Sequence, residues 1–331
     1  MLNKTNAHNI CLQVYEGYGH TESLIVYGHV YKGKPARERK YTKNTWQNFS
    51  RLVKLFFIKP VPAARVQLVW QNTVIETTTE KDGFFKFEWK SPQHLEAGWH
   101  EGLIQLKGEN EEILKQEPAK VFVPHITQYA FVSDIDDTVM VSHSATKIKR
   151  LKVLLTKHPQ NRRIFEGAKE LYEKLVWAYT EPDVPNPFFY VSSSEWNLYF
   201  DLHTFFNYNK LPDGIFLLSQ MKRWYQLFKT GQTKHAGKLS RIFRVMEVFP
   251  NQKFVLLGDN SQADPDIYAA IADRVPNRVY AIYIRNIRPS RKEYAQQKLN
   301  SILAAENIHT LVYDHSNEAM AHAKKVGLVE V

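Results

Sequence analysis

"FVSDIDDTVM" (Phe131–Met140) places three carboxylates, Asp134, Asp136 and Asp137, within four positions and follows them at once with Thr138. The residues that lead in, Tyr129–Ser133, are apolar or small, as in a strand buried on both faces. A strand that ends in clustered acids either opens a surface turn or delivers carboxylates to the edge of a sheet, where a reaction can use them. It does not open a calcium loop of the EF-hand type, because the central Gly and the distal Glu are missing. The flanking segments decide between the two readings.

From Ile126 onward the chain alternates strands and helices. Strands are expected at Tyr129–Ser133, Phe188–Ser192, Gly214–Ser219, Lys253–Leu257, Val279–Ile284 and Thr310–Tyr313. Helical runs such as "EGAKELYEKLVWAY" and "KLSRIFRVMEVF" lie between them. Several of these strands are continuous apolar runs, so residues 126–331 are expected to form a doubly wound α/β domain around a parallel sheet. Its site should lie at the carboxyl ends of the strands. Three of those ends are polar in a defined way. The first carries Asp134, Asp136, Asp137 and Thr138, and the second carries Ser192, Ser193 and Ser194. The third, "KFVLLGDNSQAD", carries Gly258, Asp259 and Asp264, and Lys238 opens the helix before it. Converging on one crevice, they supply a carboxylate nucleophile, a second carboxylate for proton transfer, a hydroxyl, an ammonium and further carboxylates for a cation.

Residues 1–125 read differently. "SLIVYGHVY" and "RVQLVW" are rich in β-formers, and "GFFKFEW" alternates Phe85, Phe87 and Trp89 with Lys86 and Glu88. Asp82-Gly83 is a hairpin signal. A small antiparallel β-sandwich is the expectation, and "TTTEKDGFFKF" resembles a hairpin of transthyretin-like modules. One segment departs from this texture. In "NTWQNFSRLVKLFFIKPVP" (Asn44–Pro62), Trp46, Phe49, Leu52, Val53 and Phe56 recur at helical spacing with Arg51 and Lys54 among them. Such a helix suits an anionic lipid interface, or packs on its own sandwich.

The chain has 331 residues, enough for two such cores. Cys11 is its only cysteine, which excludes an intrachain disulfide and a Cys-rich metal site and fits a reducing compartment. No apolar run approaches the ~18 residues of a membrane span, and the first twenty residues lack a signal-peptide core. A cytoplasmic protein, soluble or peripheral on a membrane, is expected. The net charge of +10 is unevenly placed: Tyr31–Pro60, Val139–Phe165 and Met221–Met246 together carry +22, leaving about −12 for the remainder. An anionic partner is implied, whether a phosphorylated substrate, an acidic membrane surface or nucleic acid. Nucleic acid is the weaker choice, because no basic strand surface with stacking aromatics is evident.

"DIDDT" resembles the DxDxT signature of haloacid dehalogenase (HAD) superfamily phosphatases. "YVSSSEWNLY" and "GDNSQADPDIY" are similar to later motifs of one branch, the actin-patch phosphatidate phosphatase family, distantly related to lipins. The resemblance runs from Phe131 to Ile287. It implies a HAD-like fold and a Mg²⁺-dependent phosphohydrolase in which Asp134 is the nucleophile and Asp136 the general acid and then base. Thr138 buttresses the loop, and Ser192 and Lys238 hold phosphoryl oxygens. The implied metal set is Asp134, Asp136, Asp259 and Asp264, while Asp137 is read as a structural loop carboxylate. His143 and His203 have no motif partners and are read as structural. Relatives commonly have His-Lys where this chain has Gly237-Lys238, which leaves Lys234 as the alternative lysine, and often Pro where Glu195 stands.

Val139–Pro187 between the first two motifs leaves little room for a full cap domain, and its helix "KIKRLKVLLTKH" is strongly basic. An open site with a positive rim suits a phosphate head group at an anionic surface, so phosphatidate or a similar phospholipid is the expected substrate. Two alternatives stand beside it: a phosphatase of soluble sugar or nucleotide phosphates, and a lipid- or nucleic-acid-binding protein without catalysis.

Overall fold

The computed structural model describes residues 9–33, 59–141, 163–219, 233–302 and 307–330, with the backbone alone at 197 and 233–236. These fall into two compact units, one closing at Pro124 and the other opening at His125.

Nine strands build the first unit: β1 (Ile10–Val14), β2 (Gly17–His20), β3 (Ser23–Lys32), β4 (Lys59–Pro60), β5 (Arg65–Trp70), β6 (Thr73–Thr78), β7 (Phe84–Trp89), β8 (Gly98–Lys107) and β9 (Ile113–Val123). Their pairings are antiparallel apart from β2 with β9, which is parallel. Alternation sets the faces. Phe85, Phe87 and Trp89 of β7 are buried while Lys86 and Glu88 face out, and Val66, Leu68 and Trp70 of β5 do the same. These side chains join Val26, Ile104, Leu106 and Val121 in one core cluster. Strands β5 and β7 are not bonded neighbours, yet the Trp70 and Trp89 rings meet at 5.1 Å. The sheet therefore curls until its two arms close over the same core.

Two details of the first unit differ from expectation. Asp82-Gly83 does form a tight turn, with Gly83 at φ 80° and Glu80 N–H bonded to Phe84 O at 2.7 Å. The strands on either side of it do not pair with each other: β6 pairs with β5, and β7 pairs with β3 over Leu24–His29. Turn chemistry specifies the reversal, whereas the long edge of β3 selects the partner. Of the segment expected to be an amphipathic helix, the end lies in strand β4, paired with Tyr31 and Lys32. Residues 44–58 lie outside the described residues.

The second unit contains a six-stranded parallel sheet: β10 (Tyr129–Ser133), β11 (Phe188–Glu195), β12 (Ile215–Ser219), β13 (Lys253–Asp259), β14 (Val279–Arg285) and β15 (His309–Tyr313). Its order is β12-β11-β10-β13-β14-β15. Helices α1 (Ala168–Val176), α2 (Tyr199–Asn209), α3 (Thr233–Val248), α4 (Asp264–Arg274), α5 (Lys292–Asn300) and α6 (Ser316–Lys325) connect the strands or follow the last. Among the described residues, no helix is long and apolar enough to cross a membrane.

Aromatic contacts show that both faces of this sheet are covered. Phe131 stacks on Phe188 at 4.7 Å, Tyr172 of α1 joins Phe188 at 5.5 Å, and Phe206 of α2 meets Tyr190 at 4.5 Å. Phe189, turned to the opposite face by the two-residue period, meets Phe249 just beyond α3 at 5.6 Å. Each such ring fully withdrawn from water contributes about 1.5–3 kcal/mol. The chain moves outward from β10 to β12 on one side, then crosses to β13 and moves outward on the other. The reversal leaves a crevice above the carboxyl ends of β10 and β13, the place where open α/β sheets bind ligands.

One buried polar group in the first unit makes its stability depend on pH. His29 of β3 is fully buried, with Nδ1 3.0 Å from the Tyr15 hydroxyl and its ring against Phe84 at 5.3 Å. Burial pushes its imidazole down from 6.5 to about 3. The folded pKa lies below the unfolded one, so this contribution is complete above pH 6.5 and is lost as the pH falls toward 3. Between pH 7 and pH 5 the loss from His29 is about 2 kcal/mol. Denaturant unfolding of the full chain at the two pH values should show that decrement, and His29→Phe should reduce it by about the same amount; an unchanged pH dependence in the variant would contradict it.

Candidate active site

Asp134 is the first residue past β10, and its N–H bonds Leu257 O at 2.8 Å. That bond extends the β10–β13 pairing one step beyond the strand, which ties the start of the acidic loop to the crevice. The loop then turns back on itself: Val139 and Met140 N–H both bond Ile135 O at 3.2 Å, and Asp137 N–H bonds Met140 O at 3.0 Å. Asp137 has φ 59°, a left-handed corner that aspartate tolerates better than most residues. Its Oδ2 accepts the Ser261 hydroxyl at 3.5 Å. Behind the loop, the Arg285 guanidinium lies between the rings of Phe165 (4.4 Å) and Tyr313 (4.8 Å). It donates through Nε to Thr138 O at 3.0 Å and through Nη2 to Ser316 Oγ at 2.8 Å. Thr138 is thus held by its carbonyl, while its buried hydroxyl has no partner among the described residues.

Three carboxylates meet in the crevice. Asp134, Asp259 at the end of β13 and Asp264 at the start of α4 each bring an oxygen within 4.8 Å of the others, and all three are buried. Lys238 reaches them from the second turn of α3, rather than from its opening as the sequence suggested. Its Nζ donates to Asp134 Oδ1 at 2.8 Å and to Asp264 Oδ1 at 2.5 Å, above the Tyr268 ring at 5.7 Å. Burial by itself would lower the lysine pKa; the charges of Asp134 and Asp264 and the bonds to both leave it raised, so it stays an ammonium. Burial raises the Asp264 pKa, with the Asp259 charge acting the same way against Lys238. Asp264 Oδ2 also accepts the Asp259 N–H at 3.2 Å, and Asp259 Oδ1 accepts the Ser261 N–H at 2.5 Å. Three acidic oxygens facing one ammonium in a water-poor site form a hard donor set short of positive charge, and a divalent cation such as Mg²⁺ fits it.

Gly258 permits this approach. A Cβ there would stand 2.6 Å from Asp264 Oδ2 and 2.7 Å from Tyr268 Cε2. The residue before Asp259 must therefore lack a side chain.

Asp136, implied as a metal ligand by the sequence resemblance, lies outside the triplet because its side chain turns to β11. Its Oδ2 accepts the hydroxyls of Ser192 at 2.9 Å and Ser194 at 3.2 Å. Ser192, implied as a phosphoryl contact, thus directs its proton at Asp136. Ser193 points elsewhere, to Gln262 Oε1 at 3.5 Å, and Gln262 Nε2 approaches Asp134 Oδ2 at 3.4 Å. Sequence reasoning named Ser194 without giving it a role, and missed Gln262, Asn260, Arg241 and Arg285. Asn260 is fully buried and staples the loop after β14, accepting the N–H groups of Ile287 and Arg288 at 2.8 Å each and donating to Arg288 O at 2.9 Å. A polar residue directly after Asp259 was the only signal available for it. His203 packs its ring 5.9 Å from those of Tyr199 and Phe216, away from the carboxylates. His143 and the Lys234 side chain lie outside the described residues.

Residues 129–286 match the family described as "Phosphatidate phosphatase APP1, catalytic domain". The chain is 27% identical over 207 residues to "Phosphatidate phosphatase APP1" of Saccharomyces cerevisiae, an alignment covering 60% of this chain and 33% of the yeast protein. An uncharacterized Schizosaccharomyces pombe protein is 26% identical over 187 residues, covering 56% of this chain and 29% of that one. The chain thus spans about a third of the length of the curated relatives it matches. A carbohydrate acetylesterase from Xanthomonas citri aligns at a TM-score of 0.31 and 11% identity, over 96% of this chain and 75% of the esterase, and nothing follows from so low a score. The matched segment runs from the first residue of β10 to just past Arg285, and so contains Asp134, Asp259 and Asp264 and the lysine bonded to two of them. Over residues 129–286 this chain is thus similar to the catalytic domain of the APP1-like phosphatidate phosphatase family.

Proposed function

We propose that the protein is a Mg²⁺-dependent phosphohydrolase of the HAD type that converts phosphatidate, or a similar phospholipid, to its dephosphorylated lipid through an aspartyl-phosphate. The observation that carries this reading is the convergence of Asp134, Asp259, Asp264 and Lys238 at the reversal point of the sheet, within the segment that matches the phosphatidate phosphatase family. A phosphate monoester is a dianion near neutral pH, so an unscreened carboxylate nucleophile repels it. Lys238 answers part of that problem by holding Asp134 Oδ1 and presenting fixed positive charge to the phosphoryl group. Asp134, Asp259 and Asp264 would hold Mg²⁺, which when bound supplies the remaining neutralisation.

Asp134 is then the group that attacks phosphorus. As its P–O bond forms, the bond to the lipid oxygen breaks, and Asp136 gives that oxygen its proton. In the second step Asp136 takes a proton from water, which attacks the phosphorus of the aspartyl-phosphate, frees inorganic phosphate and restores Asp134. Asp137 serves as the left-handed corner of the loop and Thr138 as the point at which Arg285 anchors it. The N-terminal strands are assigned to a separate sandwich domain. The basic segments flanking the catalytic motifs favour a lipid head group at an anionic surface over a freely diffusing sugar phosphate.

The test is phosphate release from phosphatidate in mixed micelles, set beside soluble sugar and nucleotide phosphates, with Mg²⁺ and with chelator. Release from phosphatidate is expected, is abolished by chelator, and falls at least about a thousandfold in Asp134→Asn. Hydrolysis of soluble monoesters without phosphatidate would overturn the substrate, and no turnover of any ester would overturn the enzyme. Gly258→Ala supplies a second check. The added methyl must push Asp264 or Tyr268 aside, so the Mg²⁺ concentration for half-maximal activity should rise at least about tenfold; an unchanged Mg²⁺ dependence would remove Asp264 from the cation site.

A further inference from the structure

We propose that Ser194 is a positioning residue for the proton that Asp136 delivers to the leaving group, an assignment that rests on the phosphatase reading above. Ser192 and Ser194 lie two apart on β11, so their side chains share one side of the strand, and both hydroxyls reach the same carboxylate oxygen, Asp136 Oδ2, at 2.9 and 3.2 Å. Ser193 between them faces Gln262 instead. The Ser192 oxygen accepts the N–H of Ser194 at 2.9 Å, which leaves the Ser192 proton for Asp136. Two hydroxyl donors converge on Oδ2 and so set the rotation of the carboxyl group, which favours the other oxygen, Oδ1, for the proton it delivers.

The backbone is arranged to keep both serines in place. Val191 pairs with Leu217 and Glu195 with Ser219, so four steps along β11 face two steps along β12. The two extra residues form a bulge, a device that re-aims side chains at the end of a strand. Arg241 of α3 pins it: Nη2 donates to Ser192 O at 3.2 Å and to Ser219 Oγ at 3.4 Å, and the Ser219 hydroxyl reaches Ser192 O at 3.4 Å. Asp136 and Ser192 are fully buried, so a lost hydroxyl at this place is not readily replaced by bulk water.

A role in aiming the leaving-group proton depends on the ester, whereas a structural or phosphate-binding role does not. The experiment compares kcat/KM of the full chain with Mg²⁺ on p-nitrophenyl phosphate, whose leaving group departs without a proton, and on an alkyl ester whose alkoxide needs one. The alkyl ester is dioctanoyl phosphatidate or glycerol 3-phosphate, whichever the unsubstituted chain hydrolyses. Ser194→Ala should lower kcat/KM on the alkyl ester at least about tenfold more than on the aryl ester. Ser194→Thr, which keeps a hydroxyl, should restore the alkyl activity. In an Asp136→Asn background, Ser194→Ala should cost no more than about twofold further on the alkyl ester, because the group it positions is gone. Equal losses on both esters, no loss on either, or an undiminished effect in the Asp136→Asn background would overturn the assignment while leaving the phosphatase reading in place. No turnover of any ester by the unsubstituted chain would overturn both, and that failure is visible before any serine variant is measured.

Discussion

Lys238 Nζ lies 2.8 Å from Asp134 Oδ1 and 2.5 Å from Asp264 Oδ1, with all three side chains withdrawn from water. Burying an unpaired carboxylate costs several kcal/mol, and three together would neutralise themselves by taking up protons or would push the crevice open. The ammonium lets them coexist. Its position is fixed by a helix turn on one side and the Tyr268 ring on the other, so the positive charge is placed before any substrate arrives. The same arrangement stays short of positive charge, because among the described residues one ammonium is bonded within a cluster of three acids. That deficit is what the proposed divalent ion would make up, since a carboxylate nucleophile would need such an ion before it could approach a phosphate dianion.

The sheet decides where this charge cluster forms. Strands β10 and β13 are neighbours in space although the 119 residues 134–252 separate them in the chain, and only the reversal of strand order brings their carboxyl ends side by side. The helices that flank β13 in the chain supply the remaining groups, Lys238 from α3 before it and Asp264 from α4 after it. A rear support of different chemistry holds the acidic loop. Arg285 lies between two aromatic rings and bonds a carbonyl of the loop, so its charge is used for shape. Asn260 does the same for the loop after β14 with a neutral carboxamide. The groups proposed for catalysis thus stand at the ends of β10 and β13 and on helices α3 and α4, and Arg285 and Asn260 brace the loops beside them.

Several elements could be read directly from residue order, and the reasons are physical. The β10 strand is apolar on both faces because helices cover both, and a continuous apolar run bounded by acids reports that. Strand β7 alternates because one face meets the core and the other meets water. Asp82-Gly83 was legible as a turn but not as to which strands it would join, since partner choice depends on the long edge of β3 rather than on the turn. The three serines in the last part of β11 were equally visible, and only the resemblance chose Ser192 among them. A bulge that inserts two residues against β12 separates them, and a bulge leaves no mark in composition. Helix α3 begins five residues earlier than Lys238 because the polar "TKHAG" shows no apolar stripe, though its backbone is helical.

Residue order alone determined which chemistry was present: acids after one strand, hydroxyls after the next, a Gly-Asp step after a third and a lysine before it, with two textures of chain on either side of residue 125. These are local properties, set by side-chain period, turn residues and burial on one face or two. Tertiary structure decided how the groups are shared. It gave Lys238 to Asp134 and Asp264, turned Asp136 away from them to Ser192 and Ser194, and required Gly258 to have no side chain. Each of those outcomes is a distance between residues far apart in the chain, and distances of that kind are fixed by packing across the sheet, which no local pattern encodes.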